Sequence, residues 1–161
     1  MSKKEELYVV HTGAAASALD TVLGQAAFNK TGETRGDWIR LCIDKGLCYG
    51  VRDEDNGWFQ LHLEEMFCLV VTRQLRDLGV PYPQIGELLE QLEFGGVEKV
   101  SVVRKKGSVT ITHEVNQRAA MKEALWALRV ANNREHGSQI KLPQSFGSSA
   151  VSTSFSNATL H

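Results

Sequence analysis

No run of about 18 uncharged apolar residues occurs in this chain, so no membrane-spanning helix is expected. Met1 to Glu6 lacks the apolar core of a signal peptide, which points to a cytoplasmic protein. Cysteine is scarce. Cys42, Cys48 and Cys68 are odd in number and stand at no metal-ligand spacing, so they read as buried free thiols. The histidines are scattered, no glycine-rich phosphate loop is present, and no internal repeat is apparent. Glu64 and Glu65 begin a helix, where carboxylates favour the positive end of its dipole; that role is structural. A non-enzymatic protein with no catalytic residue, cofactor or metal is expected.

A strong charge of one sign is also missing. The net charge is −1, and only its distribution is informative. Residues 20–92 carry 7 basic and 12 acidic side chains, whereas residues 98–135 carry 8 basic and 4 acidic ones. Proteins that grip nucleic acid put a basic face on it, and here the more basic half is the later one.

What is present suffices for a packed core: 161 residues at 42% hydrophobic content fit one domain with a small appendage. Leu7 to His11 reads as a strand, broken by Thr12-Gly13. Ala14 to Asn29 has apolar residues at helical spacing, either as one helix or as two divided by Gly24. Thr34 is an N-cap candidate for a helix from Arg35 to Lys45, closed by Gly46. Asn56-Gly57 between Cys48–Arg52 and Trp58–Leu61 is a hairpin signal. Leu63 to Leu78 is a helix ended by Gly79, and Pro83 suits the first turn of another that runs to Leu92. Val100–Arg104 and Ser108–Thr112 form a second hairpin around Lys105-Lys106-Gly107, and Asn116 to Asn133 is helical. His136 to His161 is rich in Ser, Gly, Asn and Thr and reads as a disordered tail.

The order helix, hairpin, helix, helix resembles the DNA-binding half of the MerR family of bacterial transcription regulators. Gly24-Gln25-Ala26-Ala27 through Thr31-Gly32 resembles the family's first helix and turn, and residues 34–47 its recognition helix with a glycine-leucine exit. Asn56-Gly57-Trp58 resembles the wing, Arg73 to Gly79 the close of the third helix, and Pro83 to Leu89 the fourth. The resemblance implies an α+β, mostly helical fold: a winged helix-turn-helix over residues 20–92, after an N-terminal arm (1–19), followed by a β-hairpin and C-terminal helix (98–135). Excisionases and terminase small subunits share much of the pattern. The chain departs from the family in three places. Phe59-Gln60-Leu61 lacks the wing's usual arginine, Asp53-Glu54-Asp55 makes the wing tip acidic, and no coiled-coil helix follows the fourth. No cysteine sits where the family's metal sensors place theirs.

Arginine can bond guanine bidentately or grip phosphate, so Arg35 and Arg40 on the recognition helix, with Thr34 at its start and Arg52 on the wing, are candidate DNA contacts; an ordinary solvated face is the other reading. The resemblance implies phosphate contacts for Arg73 and Arg76. Lys105 and Lys106 beside Arg104 form a basic tip that either meets DNA or is a solvated turn. Trp38, Trp58 and Trp126 read as core or interface residues, and Trp38, Leu41, Leu75 and Leu78 are expected in one core. Met66 to Val71 is apolar all round its helix and needs cover on more than one side. The C-terminal hairpin and helix are one cover. A second copy, packed through Met121, Ala124, Leu125 and Leu128, is the other. The function expected is a sequence-specific regulator on double-stranded DNA, as a homodimer, since one recognition helix reads few base pairs. The alternative is a protein-interaction module (an antirepressor, anti-activator or phage accessory factor) whose partner is another regulatory protein.

Overall fold

The computed structural model describes residues 9–55, 57–136 and 150–157. Among them are five helices and two three-stranded antiparallel sheets, an α+β arrangement. In chain order the elements are β1 (Val10–His11), α1 (Thr12–Leu23), α2 (Gly36–Asp44), β2 (Val51–Arg52), β3 (Phe59–Leu61), α3 (Leu63–Asp77), α4 (Tyr82–Gln91), β4 (Lys99–Lys106), β5 (Val109–Asn116), α5 (Gln117–His136) and β6 (Val151–Asn157).

The first sheet has the order β1-β3-β2, with Val10 opposite Leu61 and Arg52 opposite Phe59. The hairpin expected around Asn56-Gly57 is therefore present, although Asn56 itself lies outside the described residues. α3 begins with a reciprocal cap between His62 and Glu65, in which Glu65 accepts the His62 amide. It ends at Gly79, whose φ of 86° is a conformation that side chains with a Cβ avoid. Val80 N–H then closes back onto the Leu75 carbonyl.

α5 is the helix that joins two of the others. Both α1 and α3 lie against it. Ala15 and Ala18 on α1 and Ala120, Ala124, Ala127 and Ala131 on α5 are all buried, so the helix axes can come close. Met66, Phe67, Leu69, Val70 and Val71 are buried as well, and their all-round apolar helix is covered by α5 of the same chain. This corrects the expected dimer stripe. Ala124 and Leu128 are fully buried in their own core, and Met121 and Leu125 are half-buried at its margin.

Three further expectations change. The helical spacing of Ala14 to Asn29 is used only as far as Leu23, where Gly24 turns out at φ 84°. Beyond it the amides of Ala27 and Phe28 bond the Asp77 carboxylate, and that of Thr34 bonds Asp20, so distant side chains replace helical carbonyls. Residues 24–32, matched to the first helix and turn of the family, are therefore a loop, and the helix that precedes α2 is α1. Thr34 is not the cap: Arg35 holds that position without a side-chain cap bond. Trp38 and Leu75 are buried as expected, but Leu41 and Leu78 are not. Leu41 lies off the buried stripe of Trp38, Ile39 and Cys42, and Leu78 sits at the turn out of α3.

The expected disordered tail contains a strand. β6 pairs with β5 along its length, from Val115 opposite Val151 to Val109 opposite Asn157. Its Ser-rich sequence gains order from backbone bonds along the second side of β5, which an apolar-pattern reading does not see. The rest of that segment lies outside the described residues.

Glu123 on α5 joins these parts. Its carboxylate accepts a bond from Gln74 of α3 at 3.0 Å and one from the Ala150 backbone at the start of β6. Burial pushes its pKa from 4.5 up to about 7, against the lowering effect of those two bonds. The folded chain thus holds this proton more tightly than the unfolded chain. The contribution of this group to stability is full below pH 4.5 and is lost as pH rises toward about 7. Glu123→Gln, which keeps the acceptor and removes the charge, is expected to flatten that fall and stabilise the chain above neutrality by at most about 3 kcal/mol. Urea melts of both proteins at acid and mildly alkaline pH read the effect, and equal pH slopes would refute it. Leu75→Ala, at a fully buried site, is expected to cost about 2–5 kcal/mol in the same melts.

Candidate nucleic-acid interface

His11 leaves β1 in an extended conformation and becomes the N-cap of α1, with no side-chain cap bond. Arg35 does the same for α2. The two helix starts meet, because the position of a Cβ on Gly36 falls 3.7 Å from the Gly13 nitrogen. The first hairpin supplies the facing wall. The result is a cleft of about 580 Å³ between α1, α2 and the hairpin, with Arg40 and Arg52 on its lining. Among the described residues no carboxylate belongs to that lining.

Arg40 is exposed, one helical turn beyond Gly36. Arg52 is exposed too. It donates to the Gly57 carbonyl at 3.1 Å and lies 4.6 Å over the Phe59 ring, which braces its guanidinium at the rim. Trp58, expected as a core or interface residue, is not in the core. It is 59% exposed and meets His11 in a T-shaped contact at 5.1 Å. The acidic tip is partly drawn inward. Asp53 accepts bonds from Gln60 and the Asp55 amide and stands 4.0 Å from His11, while Glu54 and Asp55 are exposed.

The other expected contacts are elsewhere. Arg35 is exposed but outside the cleft lining, 3.8 Å from Asp37. Thr34 is buried, which removes it from any DNA surface. Arg73 is fully buried between Asp20 at 3.4 Å and Asp77 at 3.8 Å, and donates to the Gly24 carbonyl. Burial lowers its pKa, and the carboxylates of Asp77 and Asp20 oppose the shift. It is a core residue and not a phosphate contact. Arg76 is half-buried, donating to the Val80 carbonyl at 2.9 Å and lying 4.4 Å over Tyr82. That bond braces the turn after α3.

Lys105 and Lys106 are exposed on the last positions of β4. They do not join the cleft. Arg104 bonds the Leu78 and Gly79 carbonyls, at the C-terminal end of α3, whereas β3 feeds the N-terminal end. A 15-residue helix separates the two ends by roughly 22 Å. Arg104 also donates to His113 Nε2, so the ring proton is on Nδ1 and faces Thr153 at 2.9 Å. Burial and the neighbouring guanidinium hold that histidine's pKa down, in its neutral form.

The cysteines are buried or half-buried thiols. Burial pushes the pKa of Cys42 and Cys68 up to about 12 and raises that of Cys48 as well, which makes all three poor nucleophiles. The residues that sequence reasoning missed are His11, Thr12, Gly13 and Gly36. Thr12-Gly13, which by sequence breaks the preceding strand, is the first turn of a helix. No protein-family model, no curated protein and no solved structure matches the chain.

Proposed function

We propose that the chain is a DNA-binding transcription regulator on a winged helix-turn-helix resembling the MerR type, with α2 as its recognition helix and the first hairpin as its wing. The convergence of Arg40 and Arg52 on one cleft between α2 and the hairpin, with no carboxylate among its described lining residues, is the observation that supports it. Two copies would read two half-sites, the usual route to specificity for a short recognition helix. Their contact would lie outside Ala124 and Leu128, which are enclosed in each chain.

A second reading, a protein-interaction module without a DNA surface, draws on the opposite features of the same region. Glu54 and Asp55 are exposed at the hairpin tip, and Tyr49 and Val51 beside it are exposed apolar residues.

Salt dependence separates the two. Duplex binding through phosphates releases counterions, so affinity is expected to fall steeply as salt rises. Arg40→Ala is expected to weaken binding to a selected duplex by about 1–3 kcal/mol with an unchanged melting temperature. Absence of duplex binding at low salt would rule out the regulator and leave the interaction module. Sedimentation of the wild-type chain at micromolar concentration, with and without duplex, tests whether two copies assemble.

A further inference from the structure

The cleft has a wall that base or backbone contacts from α2 leave unused. α1 and α2 present their starts to it side by side, and no side chain caps either. Gly13 and Gly36 lie there, so no Cβ screens the free amides of the first turns. Between them sits Thr12. It is only 8% exposed and lines the cleft. Its hydroxyl lies 3.5 Å from the position of a Cβ on Gly36 and has no hydrogen-bond partner among the described residues. The hydroxyl is open to the cleft and can bond a ligand there. Trp58 stands at the rim, 59% exposed to solvent.

Charge and size narrow the ligand. Two helix starts of about half a positive charge each, with two guanidiniums and with Asp37 in the first turn of α2 set against them, still exceed what a singly charged phosphodiester neutralises. A terminal phosphate carries close to two negative charges at neutral pH. A cleft of about 580 Å³ is much larger than a phosphate alone and of the size that holds a small organic ligand. We propose that it binds the terminal phosphate of a nucleotide. The amides of Gly13 and Gly36, the Thr12 hydroxyl and the Arg40 and Arg52 side chains hold the phosphate, and Trp58 stacks on the base. This shares two arginines with the DNA reading and does not require a duplex.

The nucleotide is either free or the phosphorylated end of a strand, and titrations of the isotopically labelled full chain distinguish them. Inorganic phosphate and AMP are expected to shift the Gly13 and Gly36 amide resonances, and adenosine is not. AMP is expected to bind at least about tenfold more tightly than phosphate, a gain that Trp58→Ala removes. Gly36→Ala adds a methyl that meets only ordinary contacts, and is expected to abolish both responses in a folded chain. Thr12→Val keeps the shape, drops the hydroxyl, and is expected to weaken both by about tenfold. Saturation by AMP identifies a free nucleotide; saturation by a 5′-phosphorylated oligothymidine alone identifies a strand end; either supports the site. No saturable shift at these amides, or an undiminished one in folded Gly36→Ala and Thr12→Val, overturns it. A chain that binds AMP here and no duplex loses only the regulator reading, and one that binds duplex without these shifts loses only the nucleotide site.

Discussion

The buried guanidinium of Arg73 sets the geometry of the N-terminal half. A charge without solvent is tolerable only when paired and hydrogen-bonded, and Asp20 of α1 with Asp77 of α3 supplies the pairing. Each carboxylate then has capacity left. Asp20 takes the Thr34 amide and Asp77 the amides of Ala27 and Phe28, while Arg73 itself donates to Gly24. One cation thereby fixes the end of α1, the end of α3 and the loop between α1 and α2. Where α2 begins, and hence where Arg40 projects, depends on that loop.

The second organising element is α5. It lies against both α1 and α3, and Glu123 joins Gln74 of α3 to the residues that open β6. The two sheets do not pair with one another. They are joined through this helix and through Arg104, which ties β4 to the carbonyls at the turn after α3. The packing of the C-terminal half on α3 is therefore a condition for the N-terminal half to hold its shape. That is why the apolar run from Met66 to Val71 needs no second subunit.

How far the sequence was legible follows from the range of the interactions. α3, α4 and the first hairpin were readable because their boundaries are local: a left-handed glycine at Gly79, prolines at Pro81 and Pro83, and an Asn-Gly turn. The loop after Gly24 was not, since its amides are satisfied by carboxylates distant in the chain, and an alanine-rich segment looks helical until those are known. β6 was hidden for the same reason. Its order comes from the edge of β5 and not from its own Ser-rich composition. In the cleft, Arg40 and Arg52 were visible as exposed cations on a helix and a strand. Arg73 looked alike in sequence and proved to be core, because nothing local distinguishes a solvated arginine from one between two aspartates. Of the two roles the sequence allows Trp58, core or interface, its place at the rim removes only the first.

β5 is the middle strand of its sheet only because β6 lies against it. Until residues 150–157 arrive, a full row of β5 backbone donors and acceptors faces outward, bordered by Val109, Ile111 and Val115. Such a row is a template for a strand from any other molecule. A proteolytic cut or stop codon ahead of Ala150 would leave the helices largely assembled and convert the second sheet into an adhesive edge. Loss of these last residues would therefore show itself in aggregation and swapped strands before it showed in helix content.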